Sequence, residues 1–226
     1  MSKLKIYATI GYTNKKETAK FMEQKINYGL WLEKEIEKIK ASGIRPKLLL
    51  HACCAPCSSY VLEYLSSVFD ITLYFYNPNI TPLEENDFRA EELSRLCREM
   101  PLCRVPEIIV EAYEPEKFYA ATKGMEALAE GGARCAICYR LRLEKTAEKA
   151  RELCFDYFTT TLTISPYKRA EWLNAIGDEL AEVYGVPYLF SDFKKKNGYK
   201  RSCELSKEYD LYRQDYCGCE FSKNNK

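Results

Sequence analysis

From Lys47 onward the chain alternates short apolar runs with longer amphipathic ones, and this alternation constrains the fold more than any other feature. The short runs are KLLLH (47–51), ITLYFYN (71–77), PEIIVEAY (106–113), DYFTTTL (156–162) and VPYLFSD (186–192). They are rich in β-branched and aromatic residues and are of strand length. Helical spacing fills 58–67, 84–99, 115–130, 136–153 and 168–184, and a polar helix near 202–213 leads to a tail carrying YCGCEF. Such alternation predicts an α/β fold, a Rossmann-like (HUP-like) doubly wound parallel sheet of about five strands with N- and C-terminal additions. Residues 1–45 read as an N-terminal extension: Leu4, Ile6, Ala8 and Ile10 alternate as a short strand, and Leu32, Ile36 and Ile39 keep helical spacing before a Gly43 C-cap. Residues 46–226 then form one domain, in keeping with a length of 226.

The eleven cysteines come next. No N-terminal stretch has the order of a signal peptide, and no apolar run approaches the ~20 residues that span a bilayer. The chain is therefore expected to be soluble and cytoplasmic, without a membrane partner. In a reducing compartment so many thiols point to metal binding or redox catalysis rather than a disulfide scaffold. Cys53, Cys54 and Cys57 lie in HACCAPCSS, just past the first strand, at the sheet edge where open α/β folds bind ligands. Adjacent side chains on a strand point to opposite faces, whereas in a loop they can converge. Two neighbouring thiolates suit a polynuclear cluster better than a lone zinc, whose ligands are usually spaced C-x₂₋₄-C. The CxxC of Cys135 and Cys138, at a helix start after Gly131–Gly132, fits either metal. CC plus CxxC supplies the thiolate complement of a [4Fe–4S] cluster; zinc and metal-free dithiol chemistry remain open on spacing alone.

Cys217 and Cys219, separated by one glycine, are too close for a relaxed disulfide. A strained dithiol of this kind is labile and suits a redox step, and two further metal ligands are the alternative. Cys57, at the expected start of a helix, should have a depressed pKa. Cys97 and Cys154 fall in helical patterns, where free cysteine packs as a small hydrophobe, while Cys103 and Cys203 have no close partner in sequence. His51 reads as a core residue or as a donor to a cluster sulfur.

Net charge is +1, so a polyanionic partner must be held by a local patch. The segment DFKKKNGYKRS supplies one, with Lys194, Lys195, Lys196, Lys200 and Arg201 around Tyr199. Basic residues beside an aromatic suit a nucleic-acid backbone and a stacked base. In TLTISPYKR the hydroxyls, Lys168 and the helix that follows are placed to hold a phosphate. No GxGxxG or GxxxxGK[ST] occurs, which removes the main support for ATP or NAD binding.

LLLHACCAPCSSYVLEYL, FYNPNI, RCAICYRLRLEKTA, TTTLTISPYK and KRSCELSKEYDLYRQDYCGC together resemble epoxyqueuosine reductases of the QueH type, from about residue 46 to 221. The resemblance implies the last step of queuosine synthesis: reduction of epoxyqueuosine at the tRNA wobble position to queuosine and water, with electrons from a low-potential donor. It implies that Cys53, Cys54, Cys135 and Cys138 ligate a [4Fe–4S] cluster in a catalytic domain spanning 46–226. Cys217 and Cys219 become a second redox-active or iron-binding pair. The position of Cys57 can be Asp in relatives; thiolate and carboxylate both bind iron, so Cys57 is expected to help hold a second iron. Two other readings are a zinc-stabilised RNA-binding module, which leaves CC and CGC unexplained, and an iron–sulfur tRNA thiolation enzyme, which would need an SGG-type ATP loop that is missing after strand one.

Overall fold

The computed structural model describes residues 26–223; the expected strand over Leu4–Ile10 lies outside them. The element order is α1 (Tyr28–Ser42), β1 (Lys47–His51), α2 (Ala55–Leu65), β2 (Asp70–Phe75), α3 (Leu83–Glu99), β3 (Glu107–Val110), α4 (Pro115–Thr122), α5 (Ala133–Glu152), β4 (Tyr157–Thr160), a 3₁₀ turn (Thr161–Ile164), α6 (Ala170–Tyr184), α7 (Gly198–Glu208) and α8 (Glu220–Lys223). The strands form one parallel sheet in the order β3-β2-β1-β4. Parallel strands covered on both faces are apolar on both faces, and β1 is. Leu48 and Leu50 join a core with Leu32, Ile36 and Ile39 of α1, Val61 and Leu62 of α2, and Leu93 of α3. Leu49 joins the opposite core with Leu143 and Ala147 of α5 and Leu173 and Ile176 of α6. The helix of the N-terminal extension thus packs into the main core, capped by Asn27, whose Oδ1 accepts the Leu30 N–H at 3.1 Å, and closed by Gly43.

The sheet has four strands where five were expected. The segment 186–192 meets β4 through a single bridge, Phe158 with Tyr188. Pro187 has no N–H to give, and side chains take over beyond the bridge. Thr159 Oγ1 donates to the Leu189 carbonyl at 2.8 Å, and the Asn174 amide binds both the N–H and the carbonyl of Ser191. The fourth strand ends early for a related reason: the Thr160 hydroxyl accepts the Leu162 N–H at 3.1 Å and turns the chain into the 3₁₀ helix. The helix expected over 115–130 stops at Thr122, with Gly124 at φ +79° just beyond. The following loop wraps the buried Arg134 guanidinium, which donates to the carbonyls of Met125, Glu126 and Leu128. The last polar helix spans Gly198–Glu208 rather than 202–213. Cys154 sits past the end of α5, exposed and at φ 54°, not on a helix.

Candidate active site

The carboxyl end of β1 runs into the first cysteine loop. Ala52 is held there from both sides: its N–H donates to Tyr74 O at 2.9 Å, and Asn77 Nδ2 donates to its carbonyl at 2.9 Å. Cys54 then caps α2 in an extended conformation. Freed from strand alternation, the two neighbouring thiols converge at 3.7 Å. Cys57, one turn into α2, joins them: the three sulfurs lie within 4.8 Å of one another, a spacing a metal ion can bridge.

The triad has one site for negative charge. Hydrogen bonds from Cys53 and Cys57 hold Cys54 well below the ordinary thiol pKa against its burial, and Arg89 and Gln214 help; Gln214 Nε2 donates to Cys54 Sγ at 3.0 Å. Cys53 is pushed up to about 11, first by its bond to Cys54. Cys57 is raised well above the thiol range by its bonds to Cys53 and Cys54 and by burial. This reverses the depressed pKa expected for Cys57. The helix end favours a thiolate, but the charge settles on the helix-capping Cys54, and Cys57 keeps its proton to donate.

α5 presents the second set. Cys135 and Cys138 are one turn apart, and Arg142 follows on the same face. The Gly131 N–H donates to Cys135 Sγ at 3.2 Å. Cys135 packs in the apolar cluster that holds Cys53 and Cys54, whereas Cys138 packs with Cys217 and Cys219. Burial pushes Cys138 up to about 11, with Arg142 pulling the other way. Within the CGC pair, a bond from Cys219 holds Cys217 well below the thiol range against burial, with Lys168 adding to it, and Cys219 is raised as the donor.

FYNPNIT brackets both cysteine loops, a role its sequence did not announce. Asn77 holds Ala52, and the Thr81 N–H donates to the Gly218 carbonyl at 3.0 Å between Cys217 and Cys219. Arg89 of α3, 1% exposed, pairs with Glu85 and donates from Nη1 to Cys217 O at 3.4 Å. Its only sequence signal was the Glu85–Arg89 helical pair.

Two adjoining cavities open on these groups. One of about 340 Å³ is lined by Cys53, Cys57, Cys217, Arg89, Gln214, Tyr167 and Tyr199 among others. One of about 20 Å³ is lined by Cys135, Cys138, Cys217, Cys219, Tyr139 and Asn79 among others. Arg142, Lys168 and Glu130 line both. A larger cavity of about 630 Å³ beside Tyr60 and Glu33 has no cysteine in its wall. Arg142 is 3% exposed, and among the described residues no carboxylate pairs with it. Burial opposes its charge, yet Cys138, Cys53 and Cys217 outweigh that and raise its pKa. A buried, unpaired cation needs an anion beside it. Free thiols around Arg142 fit a thiolate-ligated, negatively charged metal group. Tyr139 Oη and Asn79 Oδ1 are buried without a hydrogen-bond partner among the described residues, and both residues line the same small cavity. Sequence reasoning missed Arg142, although its i, i+4 and i, i+7 spacing from Cys138 and Cys135 was the signal.

His51 is a satisfied core residue. Its Nε2 faces the Tyr76 carbonyl at 3.2 Å and so donates, leaving Nδ1 to accept from Thr160 Oγ1 at 2.9 Å. Burial, then Arg142, lowers its pKa to about 4, and it has no ring nitrogen left for a sulfur.

The predicted nucleic-acid residues part company. Lys168 is 9% exposed and turned inward to Glu130 at 2.7 Å, away from solvent phosphate. Lys194 pairs with Asp192, Lys196 with Glu33, and Arg201 with Glu63. Lys195 and Lys200 are exposed and form no ion pair among the described residues. Tyr199 lies on the wall of the larger cysteine cavity, with the Arg213 guanidinium 5.8 Å from its ring. Among the described residues no helix is long and apolar enough to cross a membrane.

The family described as "Epoxyqueuosine reductase QueH" matches residues 48–225. A protein of that name from Streptococcus pyogenes serotype M1 is 44% identical over 201 residues, covering 88% of this chain and 79% of its own. Another from Staphylococcus epidermidis is 45% identical over 208 residues, covering 90% and 87%. One from Thermotoga maritima is 40% identical over 179 residues, covering 77% and 89%.

Proposed function

The chain belongs to the epoxyqueuosine reductase QueH family of oxidoreductases, and from that premise we propose that it reduces epoxyqueuosine at the wobble position of tRNA to queuosine, the last step of queuosine synthesis. Both carbon–oxygen bonds of the epoxide break and a carbon–carbon double bond forms. The oxygen leaves as water, taking two electrons and two protons, with a low-potential donor as the electron source. The observation that carries the reading is the convergence of cysteines from three distant segments on two adjoining cavities around the buried Arg142.

In this reading Cys53, Cys54, Cys135 and Cys138 hold a [4Fe–4S] cluster, and Cys57, Cys217 and Cys219 form the second redox-active or iron-binding site. When bound, such a cluster supplies single electrons at low potential. Arg142 offsets the sulfur charge and pulls the Cys53 and Cys138 thiols back toward the thiolate against their net rise. Cys219 keeps a proton on Sγ, next to the Cys217 thiolate, at the wall of the smaller cavity. The Lys168 ammonium, paired with Glu130, stands where the two cavities meet and orients a polar oxygen there. Lys195 and Lys200 contact tRNA phosphates; Lys194, Lys196 and Arg201 do so only after exchanging their carboxylate partners.

The test is direct. Iron-loaded protein is incubated with epoxyqueuosine-containing tRNA and a low-potential reductant, and the nucleoside digest is scored for queuosine. Unchanged epoxyqueuosine with a fully loaded protein would refute the reading.

A further inference from the structure

Ser165–Lys168 forms a tight turn at the mouth of the larger cysteine cavity. The Lys168 N–H donates to the Ser165 carbonyl at 3.2 Å, and the Tyr167 N–H donates to Ser165 Oγ at 3.3 Å. Pro166 takes the second position, where its fixed φ suits the turn. Consecutive side chains are thereby sent in opposite directions. Lys168 goes inward to Glu130, whereas Tyr167 stands 72% exposed, the most exposed large apolar side chain among the described residues. The Tyr167 ring still lines the cavity mouth.

The surroundings of Tyr167 are aromatic and cationic. The Arg169 guanidinium lies 4.5 Å over the Trp172 ring, and Arg213 sits over Tyr199 across the cavity wall. Among the described residues neither Arg169 nor Arg213 pairs with a carboxylate, unlike most of the 194–201 run. A ring held out by a proline turn loses little further freedom on binding, which favours stacking. A flat ring flanked by unpaired guanidinium groups, continuous with a reaction pocket, matches a nucleotide of single-stranded RNA: a base to stack and a phosphate to pair.

We propose that the Ser165–Lys168 turn is a base-stacking lip on which Tyr167, backed by Arg169 on Trp172, holds the nucleotide next to the one whose base enters the cavity. This rests on the tRNA reading above and names residues for that contact. Tyr167 reads the π-face of the neighbouring base, and Arg169 reads its phosphate.

The experiment measures the Kd of metal-loaded full-length protein for epoxyqueuosine-containing tRNA by fluorescence anisotropy over a salt series. Tyr167→Ala should raise Kd about 5- to 100-fold with an unchanged salt slope, since stacking releases no counterions. Tyr167→Phe should bind as wild type. Arg169→Gln should flatten the slope by about 0.7. Iron content and Tm should hold in all three variants, because neither side chain is buried. Wild-type-like binding by Tyr167→Ala, while the wild type still reduces the tRNA, overturns the lip alone. The same tRNA affinity with slower reduction by a protein electron donor also overturns it, assigning the surface to the donor. A wild type that neither binds nor reduces the tRNA removes the underlying reading and the lip with it.

Discussion

Gly218 separates Cys217 from Cys219, and replacing it with alanine tests whether the backbone sets the geometry of this pair. It adopts φ +98°, and a Cβ there would lie 2.7 Å from Ile80 Cγ1 and 3.2 Å from Arg89 Nη1. Neither neighbour can retreat easily. Ile80 is fully buried and its carbonyl accepts from Tyr113 Oη at 3.0 Å; Arg89 is 1% exposed and tied to Glu85. Left-handed backbone costs a non-glycine residue about 1–2 kcal/mol. Overpacking a filled site adds about 1–3 kcal/mol, so the expected loss is about 3 kcal/mol. Gly43 supplies the control, with φ +68° and, among the described residues, nothing within 4 Å of where an added methyl would stand. Gly43→Ala should therefore cost only the backbone term, about 1 kcal/mol. With a urea m-value of about 3 kcal/mol/M, the midpoints should fall by about 1 M and about 0.3 M respectively. The assay is urea unfolding of the metal-free chains, since bound metal breaks two-state behaviour, followed by iron content and turnover of the loaded ones. Adding Ile80→Ala should recover part of the Gly218→Ala cost, a coupling of at least about 1 kcal/mol. A Gly218→Ala midpoint no lower than that of Gly43→Ala, with turnover retained, would refute the argument.

Serine at any one of Cys53, Cys54, Cys135 and Cys138 should lower iron content sharply; a variant keeping full iron and an unchanged absorption spectrum leaves the ligand set. Alanine at Cys217 or Cys219 should abolish turnover without unfolding the chain, and a fully active double variant would end that role. Cys57→Asp should retain iron beyond the cluster's own complement and some activity, while Cys57→Ala should lose both, so an alanine variant as active as wild type removes the second-iron role. Neutralising Lys194, Lys195 and Lys196 together should flatten the salt dependence of tRNA binding by about one contact, a slope change of about 0.7–0.9, because Lys194 and Lys196 already pair with Asp192 and Glu33; a change of three contacts would show that those pairs open freely. Cys97, pushed up to about 12 by burial, should escape alkylation of the native protein at neutral pH while exposed Cys103 and Cys154 react, and peptide mapping reads the difference.

The layered α/β plan, and the place in it of the first cysteine loop, follow from local sequence. β1 occupies the residues its apolar run predicted, and the first cysteine loop follows it directly, because hydrophobic period and chain break are local properties. The Cys135–Cys138 pair at a helix start was legible in the same way, from its spacing, whereas Arg142 on the same face went unread. The fifth strand was not: 186–192 has the composition of a strand, but Pro187 and the competing side chains of Thr159 and Asn174 limit it to one bridge. Which thiol carries charge was settled by packing: bonds from Cys53 and Cys57, brought together at the loop, hold Cys54 low first, and Arg89 on another helix and Gln214, 160 residues away in sequence, add to them. Packing also decided that Lys168 turns inward and Tyr167 outward, and that Lys196 and Arg201 of the basic run are spent on carboxylates from other elements. Burial and ion pairing depend on partners brought together by the fold, so periodicity can locate a site while only the packed chain assigns its protons and charges.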